Sequence, residues 1–248
     1  MIKTHEAVKK AQKEFQENLE KTTLDLQTAM VAKGAGPIPI QSQYNPYQQI
    51  KTKLVTHFSE ESIKTIMFTS TAHRDGSSFT AVSFATILAR DCRVNVLLMD
   101  ANMRSPRIHE IFNVEFSQGL SDILTKDEDK IPIIKKVGHG EFYLIPCGKK
   151  NFEPMNLFES IRFEKTLKFL RDKFDYVIID TPPVNSYAES MVIAAKVDGV
   201  ILVLESDKTR QQVAIRAKEE MEKAGANVLG VILNKRKHYI PEWIYKRL

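Results

Sequence analysis

Three short segments of this chain carry side chains whose types and spacing suit phosphate and metal chemistry. The first is Thr69-Ser-Thr-Ala-His-Arg-Asp-Gly-Ser-Ser-Phe-Thr80, set between an apolar, β-branched run and a helix-period pattern. A helix N-terminus offers an anion free backbone N–H groups and a favourable dipole, so a strand–loop–helix junction is where a phosphate loop belongs. A working loop of the form GxxxxGK[ST] adds a lysine for the β/γ-phosphates and a Ser/Thr hydroxyl for magnesium. Gly76 and Ser78 fit the second glycine and the metal-binding hydroxyl, while Thr71 stands at the first glycine and Ser77 at the lysine. The candidate phosphate-contacting residues are therefore Arg74, Asp75, Gly76, Ser77, Ser78 and Phe79. His73 either touches phosphate or is a solvated loop histidine.

The second segment, Val96-Leu-Leu-Met-Asp100, runs on into Ala-Asn-Met-Arg-Ser-Pro106. The third, Tyr176-Val-Ile-Ile-Asp180, runs on into Thr-Pro-Pro183. An aspartate at the tip of a buried strand can orient a metal or an attacking group. It can also do no more than cap the following turn. Two such aspartates behind a phosphate-loop-like segment, at one edge of one sheet, favour the metal reading, with Ser78, Asp100 and Asp180 as the magnesium set.

The elements that position these segments are legible from Lys64 onward. Apolar runs at 65–70, 95–100, 142–146, 176–180, 199–205 and 228–234 read as strands. Helix-period patterns at 78–90, 163–173, 188–196 and 208–224 fall between them. Fully apolar strands alternating with helices predict a mostly parallel α/β sheet covered on both faces. Ligands of such sheets bind beyond the carboxyl ends of the strands, where all three segments lie. Upstream, Val8, Ala11, Phe15, Leu19, Thr22, Leu26 and Ala29 recur at helical spacing, so 1–33 reads as a helical arm. That arm either packs on a partner or the main domain, or is solvated. Gly34, Gly36, Pro37 and Pro39 mark 34–44 as a linker ahead of a domain at 45–248.

Composition narrows the class. The 248 residues are 43% hydrophobic and 27% charged, ordinary for a globular protein, and the net charge of +5 is mild. Such a charge fits a solvated surface and specifies no nucleic-acid partner. No apolar run approaches the length of a membrane span, and the charged N-terminus lacks the apolar stretch of a secretion signal. A cytoplasmic protein is expected, peripheral at the inner membrane only through a partner. Cys92 and Cys147 lack the spacing of a disulfide frame or zinc site. The run Lys235-Arg-Lys-His238 reads as a solvated edge, or, with Trp243, Ile244, Tyr245 and Lys246, as a surface for a membrane or partner.

Taken in order, the motifs resemble the cytoplasmic domain of the bacterial tyrosine kinases, the autokinases of capsule and exopolysaccharide synthesis. That family is related to the cell-division and partition P-loop ATPases. VLLMDANMRSP resembles its second Walker element, DxDxR followed by proline, and YVIIDTPPV its Walker B strand. Gln118-Gly-Leu-Ser-Asp-Ile-Leu124 resembles its GLSD segment, NPYQQIKTKL from Asn45 its oligomer-contact helix, and Gly230-Val-Ile-Leu-Asn234 its last strand. The resemblance implies a sheet of the P-loop NTPase type, ATP/ADP and magnesium as ligands, Asn234 near adenine, Arg104 in the site, and Asp100, Asn102 and Asp180 at the positions of the family's acids.

The departures fall on the chemistry. The family's PGEGKS loop appears as His73-Arg-Asp-Gly-Ser-Ser78, so Ser77 supplies no cation, and Arg74 stands where glycine lets phosphate approach. Asn102 replaces a catalytic acid, and an amide cannot accept a proton as a base. In the contact helix Asn45, Gln48 and Lys51 replace Glu, Arg and Arg, which leaves self-association open. The tail holds Tyr239 and Tyr245 without a tyrosine cluster. The expectation is a pseudokinase of polysaccharide export, partnered by the cytoplasmic part of a membrane co-polymerase or by an active kinase paralogue. The alternatives are an active tyrosine autokinase with a rearranged loop, and a partition-type positioning ATPase.

Overall fold

The computed structural model describes residues 63–91, 94–125, 133–138, 140–148 and 153–235. The arm at 1–33, the linker at 34–44, the contact helix and the two tail tyrosines all lie outside the described residues. Within them, seven strands form one sheet: β1 (Thr65–Ser70), β2 (Val96–Asp100), β3 (Lys135–Lys136), β4 (Phe142–Ile145), β5 (Tyr176–Asp180), β6 (Gly199–Glu205) and β7 (Val228–Asn234). Their spatial order is β3-β4-β2-β5-β1-β6-β7. Every pairing is parallel except β3 with β4.

The expected mostly parallel sheet is thus present, and its helices lie on both faces. Successive side chains of a strand point to opposite faces. Met67, Leu97, Met99, Val177, Ile179, Val200 and Leu202 join one buried cluster with α5 (Ile161–Lys173), α6 (Ala188–Ala194) and α7 (Gln211–Lys223). The alternate residues turn toward α1 (Ser77–Asp91), where the Phe68 and Phe84 rings sit 5.4 Å apart. Asp100 and Asp180 share the parity of Leu98 and Ile178, so the strand period itself aims both carboxylates at the face that α1 covers.

Differences from the sequence expectation are local. The strand expected at 95–100 begins at Val96, because the Asn95 carbonyl is turned to accept from the Asp175 and Tyr176 N–H groups. The helix expected from 208 begins at Gln211, because Asp207 is left-handed (φ 62) and the Lys208 and Thr209 N–H groups close a turn on the Glu205 carbonyl. The two-residue β3 and the short helices α2 (Ile108–Ile111), α3 (Leu120–Thr125) and α4 (Pro154–Glu159) were not anticipated. Elements this short show too little periodicity to be read. In α3 the GLSD segment docks end-on to the sheet: Leu120 and Ser121 N–H groups donate to the Pro146 and Cys147 carbonyls just past β4. A Cβ on Gly119 would lie 2.1 Å from both the Gly148 nitrogen and the Pro146 oxygen, so only glycine permits that approach.

Candidate functional site

The phosphate-loop segment does lie between a central strand and a helix N-terminus. The chain leaves β1 at Ser70 and enters α1 at Ser77. Between them Arg74 (φ 69) and Gly76 (φ 97) are left-handed. Asp75 is buried, and its carboxylate accepts from the Ala72 N–H at 3.0 Å and the Thr71 hydroxyl at 3.2 Å, folding the loop on itself. The Thr80 N–H and hydroxyl both donate to the Gly76 carbonyl, at 3.0 and 2.9 Å, and close the first turn of α1. A Cβ on Gly76 would stand 2.1 Å from Asn234 Nδ2, so close approach as well as φ demands glycine there.

Ser77 is buried at the helix start, and Arg74 is exposed. Ser78, half-buried like Phe79, stands beside Asp180, and its hydroxyl favours the charged form of that carboxyl. Asp180 and Asp100 are register partners at the ends of β5 and β2, and both are buried. Asp100 spends its oxygens on the loop that follows it, accepting from the Asn102 N–H at 3.1 Å and the Ile108 N–H at 3.3 Å. Asp180 Oδ1 has no hydrogen-bond partner. Burial lifts Asp100 to about 7, against the pull of its backbone donors, and lifts Asp180 well above the usual carboxylate range, with the neighbouring Asp100 charge adding to the effect. Two buried carboxyls side by side, one with an unpartnered oxygen and a serine hydroxyl beside it, suit a divalent cation.

The remaining candidates sit at this edge in other roles. Asn102 Oδ1 accepts from the Ser105 N–H at 3.0 Å, so its amide caps a turn. Arg104 donates from Nε to Glu189 Oε1 at 2.7 Å, with Glu189 buried, and its guanidinium lies 5.2 Å from the centre of the Tyr187 ring. The Tyr187 hydroxyl is 3.3 Å from His73 Nε2, which links the third segment to the first. Asn234 Nδ2 donates to the Asp75 carbonyl at 2.8 Å, and its Oδ1 accepts from the Lys235 N–H.

The chain matches the AAA domain family over residues 63–221. It is 32% identical over 190 residues to tyrosine-protein kinase CpsD of Streptococcus agalactiae, covering 76% of this chain and 82% of that protein. The chain belongs to the bacterial tyrosine-kinase family. Tyrosine-protein kinase YwqD of Bacillus subtilis is 29% identical over 191 residues, covering 77% of this chain and 80% of that one. The kinase domain of the Escherichia coli tyrosine kinase ETK superposes with a TM-score of 0.73 at 24% identity, covering 86% and 89% of the two chains, a likeness that shows the fold. Among the described residues no helix is long and apolar enough to cross a membrane.

Against the family's plan, Lys235, Glu189 and Tyr187 are the residues that sequence reasoning missed. In the sequence Lys235 opens a basic run that reads as a solvated edge or as a membrane or partner surface, yet its ammonium lies 2.5 Å from the Arg74 carbonyl inside the phosphate loop and 3.3 Å from Glu205 Oε2. Its one sequence signal is adjacency to Asn234 at the end of the last-strand motif. Glu189 and Tyr187 carry no motif; their signal is only that they follow Thr-Pro-Pro183.

Proposed function

We propose that this chain is a catalytically inactive or very weak member of its family, a pseudokinase. It serves polysaccharide synthesis and export as a regulatory or scaffolding partner of a membrane chain-length co-polymerase. The observation that carries this reading is Ser77, a buried neutral side chain at the loop position where the family places a lysine. The amide of Asn102 at a catalytic-acid position adds to it. Losing one preorganised electrostatic group costs roughly 10²–10³ in rate, and these losses, though not additive, fall on both the phosphate and the acceptor side.

The metal half of the site fits a magnesium nucleotide better than the phosphate half does. The unpartnered Asp180 Oδ1, the Ser78 hydroxyl and Asp100 form an oxygen set of the kind magnesium takes. Ser78, Asp100 and Asp180 would hold the ion, which supplies positive charge to the phosphates when bound. The chain's own part is to position: Gly76 and Thr80 hold the first turn of α1, and Asp100 fixes the segment from Asn102 to Ile108. Nucleotide is in this reading a ligand that sets conformation, not a substrate.

The same intact Asp100, Asp180 and Ser78 favour a second reading, a working tyrosine autokinase. Incubating the purified chain with magnesium ATP and measuring phosphotyrosine and ADP release separates the two. Neither product is expected above background. Phosphotyrosine that forms in the unaltered chain, and disappears with Asp180→Asn, would overturn the pseudokinase reading. Co-purification with the membrane co-polymerase of its own host, unaffected by Asp180→Asn, is the expected partner result.

A further inference from the structure

The phosphate loop is held from outside itself by the tip of β7. Asn234 Nδ2 donates to the Asp75 carbonyl at 2.8 Å, and Lys235 Nζ donates to the Arg74 carbonyl at 2.5 Å. Lys235 is left-handed (φ 56), which turns the chain where β7 ends, and Nζ also pairs with Glu205 Oε2 at 3.3 Å. Two consecutive carbonyls of the loop are thus drawn toward one strand tip. In a planar trans peptide the N–H points opposite to the carbonyl. The N–H groups of Asp75 and Gly76 therefore face away from β7. With left-handed residues at Arg74 and Gly76, successive N–H groups form the concave arrangement that takes an anion. The first turn of α1 follows directly, with N–H groups that have no intrahelical acceptor.

A second observation points to a ligand at this place. Asp180, 1% exposed, stands beside the Ser78 hydroxyl of that first turn and leaves Oδ1 unpartnered. A cation-seeking oxygen beside an anion-seeking set of N–H groups suits a metal-bound polyphosphate. The loop lacks a cation at the lysine position, since Ser77 has none to give. Lys235 supplies one through the backbone. An ammonium bonded to a carbonyl polarises that peptide and strengthens its N–H as a donor.

We infer that Lys235 is the positioning residue that gives this loop its affinity for the diphosphate of a magnesium nucleotide, by orienting and polarising the Arg74–Asp75 peptide from the carbonyl side. The inference rests on the reading that position 77 no longer supplies charge. It concerns binding, so it stands or falls separately from phosphoryl transfer.

The test is calorimetric titration of the full chain with magnesium ADP and with magnesium pyrophosphate, beside Lys235→Met, Lys235→Gln and Lys235→Arg. Unaltered protein binds both ligands. Lys235→Met and Lys235→Gln weaken both about tenfold or more, the scale of a lost charge-assisted hydrogen bond. Lys235→Arg stays within about threefold of the unaltered chain, since it keeps a cation on the Arg74 carbonyl. Adding Ser77→Lys to Lys235→Met restores affinity, because the charge then comes from inside the loop. The Asp75 amide resonance moves on adding pyrophosphate to the unaltered chain and stays in place in Lys235→Met, a readout that general loss of stability would not give. Unchanged affinity in Lys235→Met overturns the inference, as does an unaltered chain that binds neither ligand. Loss in Lys235→Met without restoration by Ser77→Lys overturns it too, because the lysine would then hold the fold and not the charge. Phosphotyrosine formation would sink the pseudokinase reading and leave this one standing.

Discussion

Asp100 and Asp180 end neighbouring parallel strands in register, both buried, and only one of the two has its oxygens filled by backbone donors. The pair has a consequence for stability. Both carboxyls hold a proton in the folded state at a pH where the unfolded chain, near 3.8, has released it. Between about pH 4 and pH 7 the folded state then binds more protons than the unfolded one, so the stability this pair contributes is full below pH 4 and falls as pH rises. The slope is up to about 1.4 kcal/mol per pH unit for each group. For Asp100 the loss is complete above about 7. Urea unfolding at several pH values, unaltered chain against Asp180→Asn, checks this: the gap in favour of the variant should widen toward neutral pH.

Magnesium should narrow that gap. A cation bound to the deprotonated carboxyls stabilises only the folded state. At pH 8 the unaltered chain should gain melting temperature with millimolar magnesium, and Asp180→Asn should gain little. Equal gains in both proteins would place the ion elsewhere.

Arg104 leaves Glu189 buried and charged if it is removed. Arg104→Ala should destabilise by about 2 kcal/mol, below the 3–5 of a fully buried pair because the Arg104 side chain is 32% exposed. Glu189→Gln should cost less, since the amide oxygen still accepts from the guanidinium. Denaturant midpoints of the two single variants and the double give the coupling.

Gly76→Ala should cost about 1–3 kcal/mol, from strain at φ 97 and from the 2.1 Å approach to Asn234 Nδ2. Asn234→Gly in the same chain should recover part of that cost, because it removes the clash and leaves the backbone strain. Additive losses would show that only φ matters.

Asn102→Asp should leave stability within about 0.5 kcal/mol, because a carboxylate can accept from the Ser105 N–H as the amide does. It restores the family's acid without cost to the turn, so any change in nucleotide hydrolysis measured on top of Ser77→Lys reports chemistry and not folding.

The sequence by itself determined the sheet and the place of the site. Apolar runs of five to seven residues at β1, β5 and β6 can be buried on both faces only in a covered parallel sheet, whereas β7 is partly exposed at its edge; the bounds of all four at 65–70, 176–180, 199–205 and 228–234 are those of the structure. Period-two alternation was enough to send Asp100 and Asp180 to one edge and one face. The absence of a lysine at position 77 was likewise plain, since a motif compares residues that are near in sequence. Only the tertiary structure decided what compensates for it. Lys235 meets the Arg74 carbonyl across a sequence gap of 161 residues, and Arg104 meets Glu189 across 85. No local pattern encodes such contacts, because they depend on strand order: β6 and β7 follow β1 at the sheet's edge, and that order brings the end of β7 over the loop that β1 begins. A side chain that reads in the sequence as one more solvated cation is, in the folded chain, bonded to the backbone of the phosphate loop.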